Sequence, residues 1–487
     1  MNHSSLFRLI IFLAGPAIFL IVAFVLPPVL PHPAANKTLG VGLWMILWWV
    51  TESMPIAVTA LIPLVAFPFL EVMTISQSAS AYANHIIFLF MGGFLIAIAL
   101  EKHRLHERIA LRLISITGTS GNGIIMGFML ATGGISMWIS NTATAMMMLP
   151  IATSVIDLLR KDKNQPIHEM EKPERNFAIA LLLMVGYAAT LGGLATLIGT
   201  PPNVVFAGLL NEYHHEKINF GKWMLMGVPI AASLLLSTYL ILTKVLFPNG
   251  IRQVAGTDEL LRVKLAELGP VSRTEKRVLI IFVLTSLLWI LQQPLNDYIL
   301  KRELLNDTNV AMLGGLLMFL VPAGGTANLK FILDWSDTQH LQWGILILFG
   351  GGLCLASGLQ NTGIIQYLGE WIAEQSSFNV FMILALIVIT VVLSEFMSNV
   401  ALVQIFIPVI FGISTSLGLN PFILGVPVTL AASIGFMFPI ATPPNAIVFS
   451  SGYIRMKDMV RAGVLLDIVS IAIILISAIT IVSAIFS

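Results

Sequence analysis

Two short polar motifs occur twice in this chain: Ser140-Asn141-Thr142 is followed by Thr200-Pro201-Pro202-Asn203, and Ser398-Asn399-Val400 is followed by Thr442-Pro443-Pro444-Asn445. The triplets lie 258 residues apart and the proline motifs 242 residues apart. Each triplet is near the middle of an apolar run, 124–158 or 378–412. Such a run exceeds one membrane crossing of about 20 residues but could hold two half-length helices that return to the same side. The motifs therefore predict two related halves, each with a re-entrant hairpin whose tip is the polar triplet.

The composition places these motifs in a membrane. Of 487 residues, 57% are hydrophobic and 10% are charged, whereas a soluble domain carries about a quarter charged residues. The remaining apolar runs predict an all-α integral membrane protein with about 11 transmembrane helices besides the two hairpins. The first run, 9–30, could be a signal peptide or a retained helix, and the prolines at its end favour a retained helix. The lone cysteine, Cys354, argues against a disulfide framework or a cysteine-built metal site.

The basic residues predict the orientation of the halves. If the N-terminus is cytoplasmic and both long runs are hairpins, 21 of the 26 lysines and arginines lie on the cytoplasmic side, as the positive-inside rule requires. If each long run crosses the membrane once, only 12 do. The hairpin topology makes the two halves inverted repeats. The predicted units are an N-terminal helix (1–38), a first repeat (39–247), a cytoplasmic linker (248–277) and a second repeat (278–487).

The polar motifs have the chemistry of a cation site. Paired prolines remove two backbone donors and disfavour a helix before them, so each Thr-Pro-Pro-Asn motif is expected to break its helix. Backbone carbonyl groups are freed at each such break. Carbonyl, hydroxyl and amide oxygens are hard ligands that suit Na⁺ or another small cation rather than a transition metal. We therefore expect one cation site in each half. The first consists of Ser136, Ser140, Asn141 and the backbone around Gly199, and the second of Ser394, Asn399 and the backbone around Met397 and Ala441.

An anion fits on the other side of each tip, where the following helix presents its N–H groups and positive dipole end. Neither hairpin contains a lysine or arginine, and neither proline motif has one nearby. A negatively charged substrate would therefore be held by amides, hydroxyls and bound cations. This arrangement predicts that anion transport is coupled to Na⁺ or another small cation, with no other cofactor.

Plainer roles compete with these assignments. Serine and threonine in membrane helices often bond a backbone carbonyl, and proline pairs often only kink a helix; the matched pairs of motifs favour a site. Glu52 is expected to be solvated or to cap a helix. Glu395, whose counterpart is Met137, is expected to be structural, although an intramembrane carboxylate is also a candidate proton or cation ligand. The apolar runs contain no acid–base or nucleophile–base spacing that would indicate an enzyme.

The chain resembles the divalent anion:sodium symporter family, which includes bacterial dicarboxylate carriers. The resemblance lies in the tips, the breaks and the upstream Thr51-Glu52-Ser53-Met54-Pro55. The resemblance covers nearly the whole chain. It implies a homodimer in which a transport domain (121–247 and 377–487) moves like an elevator against scaffold helices (39–120 and 278–376). It also implies that substrate carboxylates contact both tips and both breaks, here Ser140, Asn141, Thr142, Thr200, Pro201, Ser398, Asn399, Thr442 and Pro443. Val400 departs from the threonine found in many bacterial members, which weakens a carried-over preference for succinate.

The predicted function is sodium-coupled import of C4-dicarboxylates such as succinate, fumarate or malate. The expected location is the bacterial inner membrane, with many spans, a cytoplasmic N-terminus, lipid around it and no nucleic-acid partner. Within the same fold, the alternatives are a citrate or sulfate symporter and a sodium-independent dicarboxylate exchanger. From other classes, the alternatives are an ion channel and a proton antiporter that uses Glu395.

Overall fold

The structure is a computed structural model that describes residues 3–160, 170–324, 330–375 and 379–486. The N-terminal part begins with two helices that pack along each other, α1 (His3–Leu20) and α2 (Ala35–Thr51). Three short helices follow, and then a long and a shorter one: α3 (Ile56–Thr59), α4 (Ile62–Phe69), α5 (Ile75–Tyr82), α6 (His85–Lys102) and α7 (Leu105–Ile116). Glu52 lies exposed at the C-cap position of α2 in a left-handed conformation, which agrees with the expected solvated or capping role.

The first pair of polar motifs lies where two helices begin. The helices here are α8 (Gly121–Ser136), α9 (Asn141–Asp157), α10 (Lys172–Gly193), α11 (Pro201–His214) and α12 (Phe220–Leu240), the last extended by a π-helical turn over Ile241–Leu246. The triplet Ser140-Asn141-Thr142 is where α8 gives way to α9. Thr200-Pro201-Pro202-Asn203 is where α11 begins, because proline is well suited to the first position of a helix.

The predicted second half follows the linker helix α13 (Thr257–Glu267). Its helices are α14 (Arg273–Pro294), α15 (Asp307–Leu320), α16 (Trp343–Asn361), α17 (Ile364–Gln375), α18 (Val380–Ser394), α19 (Asn399–Ser416), α20 (Pro421–Ala432), α21 (Pro443–Ser450), α22 (Met456–Ser477) and α23 (Ser483–Phe486). Short π-helical segments, Ile21–Val25, Leu295–Leu300 and Ala478–Val482, and a 3₁₀ turn, Trp335–His340, complete the order. The second triplet again lies at the start of a helix, with Ser398 as the N-cap residue of α19 and α18 ending four residues earlier.

Within the described ranges, seven helical stretches are long and apolar enough to cross a membrane, which confirms an all-α membrane protein. They are Ile75–Lys102, Lys172–Gly193, Phe220–Leu246, Arg273–Leu300, Trp343–Asn361, Asn399–Ser416 and Met456–Phe486. Shorter apolar helices include Leu9–Val25, Ile56–Phe69, Asp307–Leu320, Val380–Ser394 and Pro421–Ala432. The total of about 11 crossings remains a prediction. The predicted orientation depends partly on the basic loop at 160–175, and most of this loop lies outside the described residues. The predicted boundary between scaffold and transport elements at 376/377 and Ser487 also lie outside them.

Helix α10 forms the centre of the first half. Each of its residues from Asn176 to Gly193 is buried, and it packs against α8, α9, α12 and α21. The contact with α8 is backbone to backbone, because a side chain at Gly192 would overlap Gly133. The break that follows α10 is therefore enclosed by protein, where freed carbonyl groups need partners other than water.

Two amphipathic helices, α7 and α17, were not predicted as elements. Each follows a helix with a glycine pair or triplet, α6 or α16, and each has its own polar face. Arg108 of α7 reaches the linker, where Nη1 donates to Gly269 O at 2.9 Å and Nη2 to Leu268 O at 3.1 Å. Its Nη2 also lies 3.2 Å from Glu275 Oε1, and both side chains are buried. The predicted linker thus contains a helix, and its Glu275 forms a buried ion pair with α7.

Candidate cation and substrate site

The first tip and the first break form a cluster of oxygen atoms. The hydroxyl of Ser136, at the end of α8, lies 2.7 Å from Asn141 Oδ1 and 2.6 Å from Ala189 O of α10. Ser136 is fully buried. A hydroxyl has one proton and can donate to only one of these oxygens at a time. The cluster is therefore richer in acceptors than in donors.

The Asn141 amide decides what this cluster can bind. With Oδ1 directed into the cluster, it faces the oxygens of Ser136, Ala189 and Gly199. With the amide turned, its nitrogen donates to Ser136 Oγ at 2.7 Å, Ala189 O at 3.0 Å and Gly199 O at 3.2 Å. The turned form satisfies the cluster by hydrogen bonds alone. The first form presents converging neutral oxygens, which fit a hard monovalent cation.

Glycines bring these groups together. A Cβ on Gly193 would lie 2.6 Å from Asn141 Oδ1 and 3.0 Å from Gly199 O. A Cβ on Gly199 would lie 2.5 Å from Gly193 O. The distances of 2.6 and 2.5 Å are too short for a carbon–oxygen contact, and 3.0 Å is tight. Of the predicted first cation ligands, Ser136, Asn141 and Gly199 thus lie together. Ser140 instead caps α9, where its Oγ accepts from Ala143 N at 3.2 Å.

The first break is tied to the first tip and to its own proline motif. Thr196 Oγ1 donates to Met137 O in the tip and accepts from Gly199 N at 3.0 Å. Asn203, the last residue of the motif, donates from Nδ2 to Thr196 O at 2.8 Å and to Gly193 O at 3.2 Å. Neither Thr196 nor this use of Asn203 was predicted. The carbonyls freed in the break are bound by side chains that follow it.

The second break is held by the matching asparagine. Asn445 donates from Nδ2 to Gly435 O at 2.8 Å and to Phe438 O at 3.2 Å. Thr442 Oγ1 caps α21 by accepting from Asn445 N at 3.4 Å. The side chain of Thr200 makes no such cap. The two motifs therefore share the hydrogen bonds of the asparagine side chain but differ in whether the threonine side chain caps the helix.

The second predicted cation cluster is less closed than the first. The hydroxyl of Ser394 donates to Ile434 O or to Val391 O, the latter at 2.8 Å. Ser394 and Ala441 lie on either side of Gly435, where a Cβ would be 3.5 Å from Ser394 Oγ and 3.0 Å from the Cβ of Ala441. Asn399 Oδ1 is buried and has no hydrogen-bond partner among the residues that the structure describes. Met397 lies in the tip and donates its N–H to Leu393 O at 3.1 Å.

The predicted substrate residues lie at the starts of four helices. Ser140 and Ser398 are the N-cap residues of α9 and α19, with Asn141, Thr142 and Asn399 in the first turns. Thr200 and Thr442 are the N-cap residues of α11 and α21, with Pro201 and Pro443 in the first position. Helix α9 packs against α21, and α11 packs against α19, so each pair joins one tip helix to a break helix of the other half. First-turn N–H groups have no partner within their helix and suit an anion.

Two acids lie behind the second break. Glu395 is fully buried and accepts N–H groups from Phe436, Met437 and Phe438 at 2.7, 3.0 and 3.1 Å, which agrees with the expected structural role. Asp467 of α22 lies beside it and was not predicted. The signal in the sequence was a single carboxylate within the apolar run 459–486.

The comparisons with known proteins agree with this architecture. The family model for the sodium:sulfate symporter transmembrane region matches residues 3–486. A sodium-dependent dicarboxylate transporter, SdcS, from Staphylococcus saprophyticus is 39% identical over 470 residues, covering 96% of this chain and 90% of the relative. SdcS of Staphylococcus aureus is 40% identical over 479 residues, with the same coverage.

Two solved structures share the fold. The YdaH transporter of Alcanivorax borkumensis aligns with a TM-score of 0.59 at 12% identity, covering 98% of both chains. MtrF of Neisseria gonorrhoeae, from a class of antimetabolite efflux pumps, aligns with a TM-score of 0.57 at 12% identity, covering 98% of this chain and 95% of the other. At this identity the likeness concerns the fold alone. The family match over the helical region, together with the two SdcS relatives, shows that the chain belongs to the sodium:sulfate symporter family and is a membrane transporter rather than an enzyme.

Proposed function

We propose that this protein is a sodium-coupled symporter that carries C4-dicarboxylates, such as succinate, fumarate or malate, into the cell. The observation that carries the proposal is the buried oxygen cluster of Ser136, Asn141, Ala189 and Gly199 next to the start of α9. The relatives named sodium-dependent dicarboxylate transporters support both the ion and the class of substrate.

Charge explains why the two solutes would travel together. A dicarboxylate brings two negative charges to a site whose hairpins contain no lysine or arginine. Helix N-termini provide only partial positive charge. A sodium ion at each tip would supply the remaining positive charge, and it would also fix the tip whose N–H groups the carboxylate contacts. Ordered cation binding before substrate binding follows from this arrangement.

The proposed ligands follow the matched motifs. Sodium would be held at the first tip by Asn141, Ser136 and the Gly199 carbonyl, and at the second by Asn399, Ser394 and the carbonyls near Met397 and Ala441. Substrate carboxylates would contact Ser140, Asn141 and Thr142 in the first tip and Ser398 and Asn399 in the second. Thr200, Pro201, Thr442 and Pro443 would complete the site from the breaks.

We further propose that the two hairpins and breaks move as one body. The pairing of α9 with α21 and of α11 with α19 joins the transport elements 121–247 and 377–487 across the two halves. An elevator movement of this body against the scaffold, 39–120 and 278–376, in a homodimer of the inner membrane with a cytoplasmic N-terminus would carry the site across. The distribution of basic residues supports that orientation.

Uptake by purified protein in proteoliposomes tests the proposal. An inward sodium gradient should drive succinate accumulation, and replacement of sodium by choline should abolish it. The variants Asn141→Ala and Asn399→Ala should lose uptake, whereas Asn309→Ala, an exposed asparagine, should keep it. A substrate panel separates the alternatives, because a citrate or sulfate symporter would prefer those anions. An exchanger would need internal dicarboxylate but no sodium, and a channel would conduct without counterflow. Succinate accumulation that does not depend on sodium would refute the proposed coupling.

A further inference from the structure

Two glycines on the scaffold helices are each covered by a side chain of the transport elements. Gly93 of α6 lies under Ile198 of the first break, since a Cβ on this glycine would be 3.3 Å from Cγ2 of the isoleucine. Gly352 of α16 lies under Gln404 of α19, because a Cβ on this glycine would overlap the amide nitrogen. Gln404 Nε2 also donates to Leu348 O at 2.8 Å. Each glycine thus leaves room for one side chain of the transport elements.

The two glycines occupy equivalent positions in the two predicted halves. The sequence Leu-Phe-Met-Gly-Gly at 89–93 recurs as Leu-Phe-Gly-Gly-Gly at 348–352, an offset of 259 residues. This offset makes Phe90 and Phe349 equivalent, and their rings contact each other with centroids 5.0 Å apart. In a two-fold arrangement, a residue near the axis contacts its own equivalent. The contact between the two phenylalanines therefore supports an approximate two-fold relation between α6 and α16.

The side chains that cover the two glycines are not equivalent. At the offset of the proline motifs, 242 residues, the counterpart of Ile198 is Ile440 in the second break. At the offset of the triplets, 258 residues, the counterpart of Gln404 is Met146 in α9. Ile440 is 76% exposed and Met146 is 55% exposed. The first half therefore covers its glycine with the break, the second half with the helix after the tip, and each half leaves its other residue uncovered.

Exchange of these roles gives a second arrangement with equivalent contacts. If the halves are inverted repeats, each half would then adopt the contacts that the other half makes in the structure. Ile440 would cover Gly352, and its apolar surface would be buried as that of Ile198 is now. Met146 would cover Gly93. Packed interfaces have discrete positions, so the transport elements would shift between two arrangements rather than slide continuously.

We propose that the two glycines are contacts with two positions, at which the break residue and the tip-helix residue of the same half alternate during transport. In the other transport state, Ile440 lies on Gly352. Met146 lies on Gly93 in that state. The inference rests on the proposed function, because it assigns residue contacts to the elevator movement.

The hydrogen bond of Gln404 favours the arrangement in the structure. The bond to Leu348 O exists only while Gln404 covers Gly352, so the exchange must break it. Its counterpart Met146 has no N–H or O–H to donate. The other arrangement therefore lacks an equivalent bond at Gly93, and the two states differ in free energy through this amide.

Disulfide formation between paired cysteines tests the exchange. The variants carry Cys354→Ser, which removes the one native cysteine. In membrane vesicles, copper–phenanthroline oxidises two thiols to a disulfide where the Cβ atoms come within about 3.5–4.5 Å. Gly93→Cys with Ile198→Cys reports the arrangement in the structure, where a Cβ on Gly93 would be 3.6 Å from Cβ of Ile198. Two pairs report the other state: Gly352→Cys with Ile440→Cys, and Gly93→Cys with Met146→Cys.

We expect a disulfide within one chain in all three pairs, identified by mass spectrometry of the linked peptides. The mixed pair Gly93→Cys with Ile440→Cys joins different halves and is the control, which should form none. Absence of the disulfide in a folded pair for the other state, or equal formation in the mixed pair, would overturn the proposal. So would a disulfide between two chains through Ile440→Cys, which would show that this residue faces a second copy. Should Gly352→Cys not fold, the Met146→Cys pair provides the same test.

The role of the amide is measured as a rate. Gln404→Met removes the hydrogen bond to Leu348 O and should raise the rate of disulfide formation between Gly93→Cys and Met146→Cys by about two- to tenfold. Thr415→Val is the control, because the Thr415 hydroxyl donates to Phe411 O within α19 itself. An unchanged rate in Gln404→Met would show that the bond does not hold the state.

The exchange and the sodium coupling fail in different ways. The uptake assay decides the coupling, whereas the disulfides form without a sodium gradient. Sodium-driven uptake without the disulfides of the other state would refute the exchange alone. Disulfides of the other state without sodium-driven uptake would refute the coupling alone.

Discussion

Asn203 and Asn445 make the same pair of hydrogen bonds in the two halves of the protein, each donating from Nδ2 to the carbonyls ten and seven residues before it. These carbonyls belong to the breaks that follow α10 and α20. Each asparagine therefore closes a non-helical loop onto the start of the next helix. In the described ranges of the chain, the buried Oδ1 atoms of both residues have no hydrogen-bond partner, so the structure uses the donor half of each amide.

Replacement of either asparagine should loosen its break. In Asn203→Ala or Asn445→Ala, two buried carbonyls lose their donor, at a cost of about 1–3 kcal/mol for each unsatisfied group. We expect a lower thermal midpoint and a raised half-saturating sodium concentration in proteoliposome uptake. Aspartate should be worse than alanine, because its carboxylate would face the two carbonyls. Uptake and stability equal to the unaltered protein in both alanine variants would contradict this role.

The sequence predicted where the site helices begin, and the reason is local. Pro201 and Pro443 suit the first position of a helix, and Ser140 suits an N-cap, so the motifs themselves determine the starts of α9, α11 and α21. The same motifs predict two related halves, and this division stays a prediction. Such signals depend only on neighbouring residues.

The rest of the site depends on contacts between distant segments. Asp467 is one acid in an apolar helix, and nothing near it in sequence indicates that it meets Glu395. Thr196 has no motif of its own, and Gly193 shows its role only through the approach of Asn141. The amphipathic helices α7 and α17 were missed because a search for long apolar runs does not detect helices with one polar face.

Gly193 tests the close packing of the first cluster. In Gly193→Ala, the new Cβ would lie 2.6 Å from Asn141 Oδ1 and 3.0 Å from Gly199 O, so the oxygens must move apart. We expect a strong rise in the half-saturating sodium concentration with substrate transport still detectable at high sodium. Gly134→Ala is the matched control, because a Cβ there meets no atom within 4 Å. Equal sodium dependence in the two variants would show that Gly193 is not needed for the cluster.

Helix α7 carries a buried and an exposed ion pair, which should differ in their effect on stability. Arg108 and Glu275 are both buried, so Arg108→Ala leaves an unpaired carboxylate and should cost about 3–5 kcal/mol. Arg104 pairs with Glu107 at the surface, its side chain 56% exposed, and Arg104→Ala should cost about 0–1 kcal/mol. Thermal unfolding in detergent measures both. A double variant, Arg108→Met with Glu275→Met, should recover part of the loss; equal thermal midpoints for Arg108→Ala and Arg104→Ala would refute the distinction.

Thr142 and Val400 occupy the second position of α9 and α19, so the two tips differ by one hydroxyl. In the proposed site, that hydroxyl would donate to a substrate carboxylate, a bond worth about 1.5 kcal/mol or somewhat more, or about tenfold in affinity. Thr142→Val should therefore raise the KM for succinate, and Val400→Thr should lower it, with the half-saturating sodium concentration nearly constant in both. Thr153→Val, farther along α9, is the control and should leave KM unchanged. A change in sodium dependence without a change in KM would place both residues at the cation sites instead of the substrate.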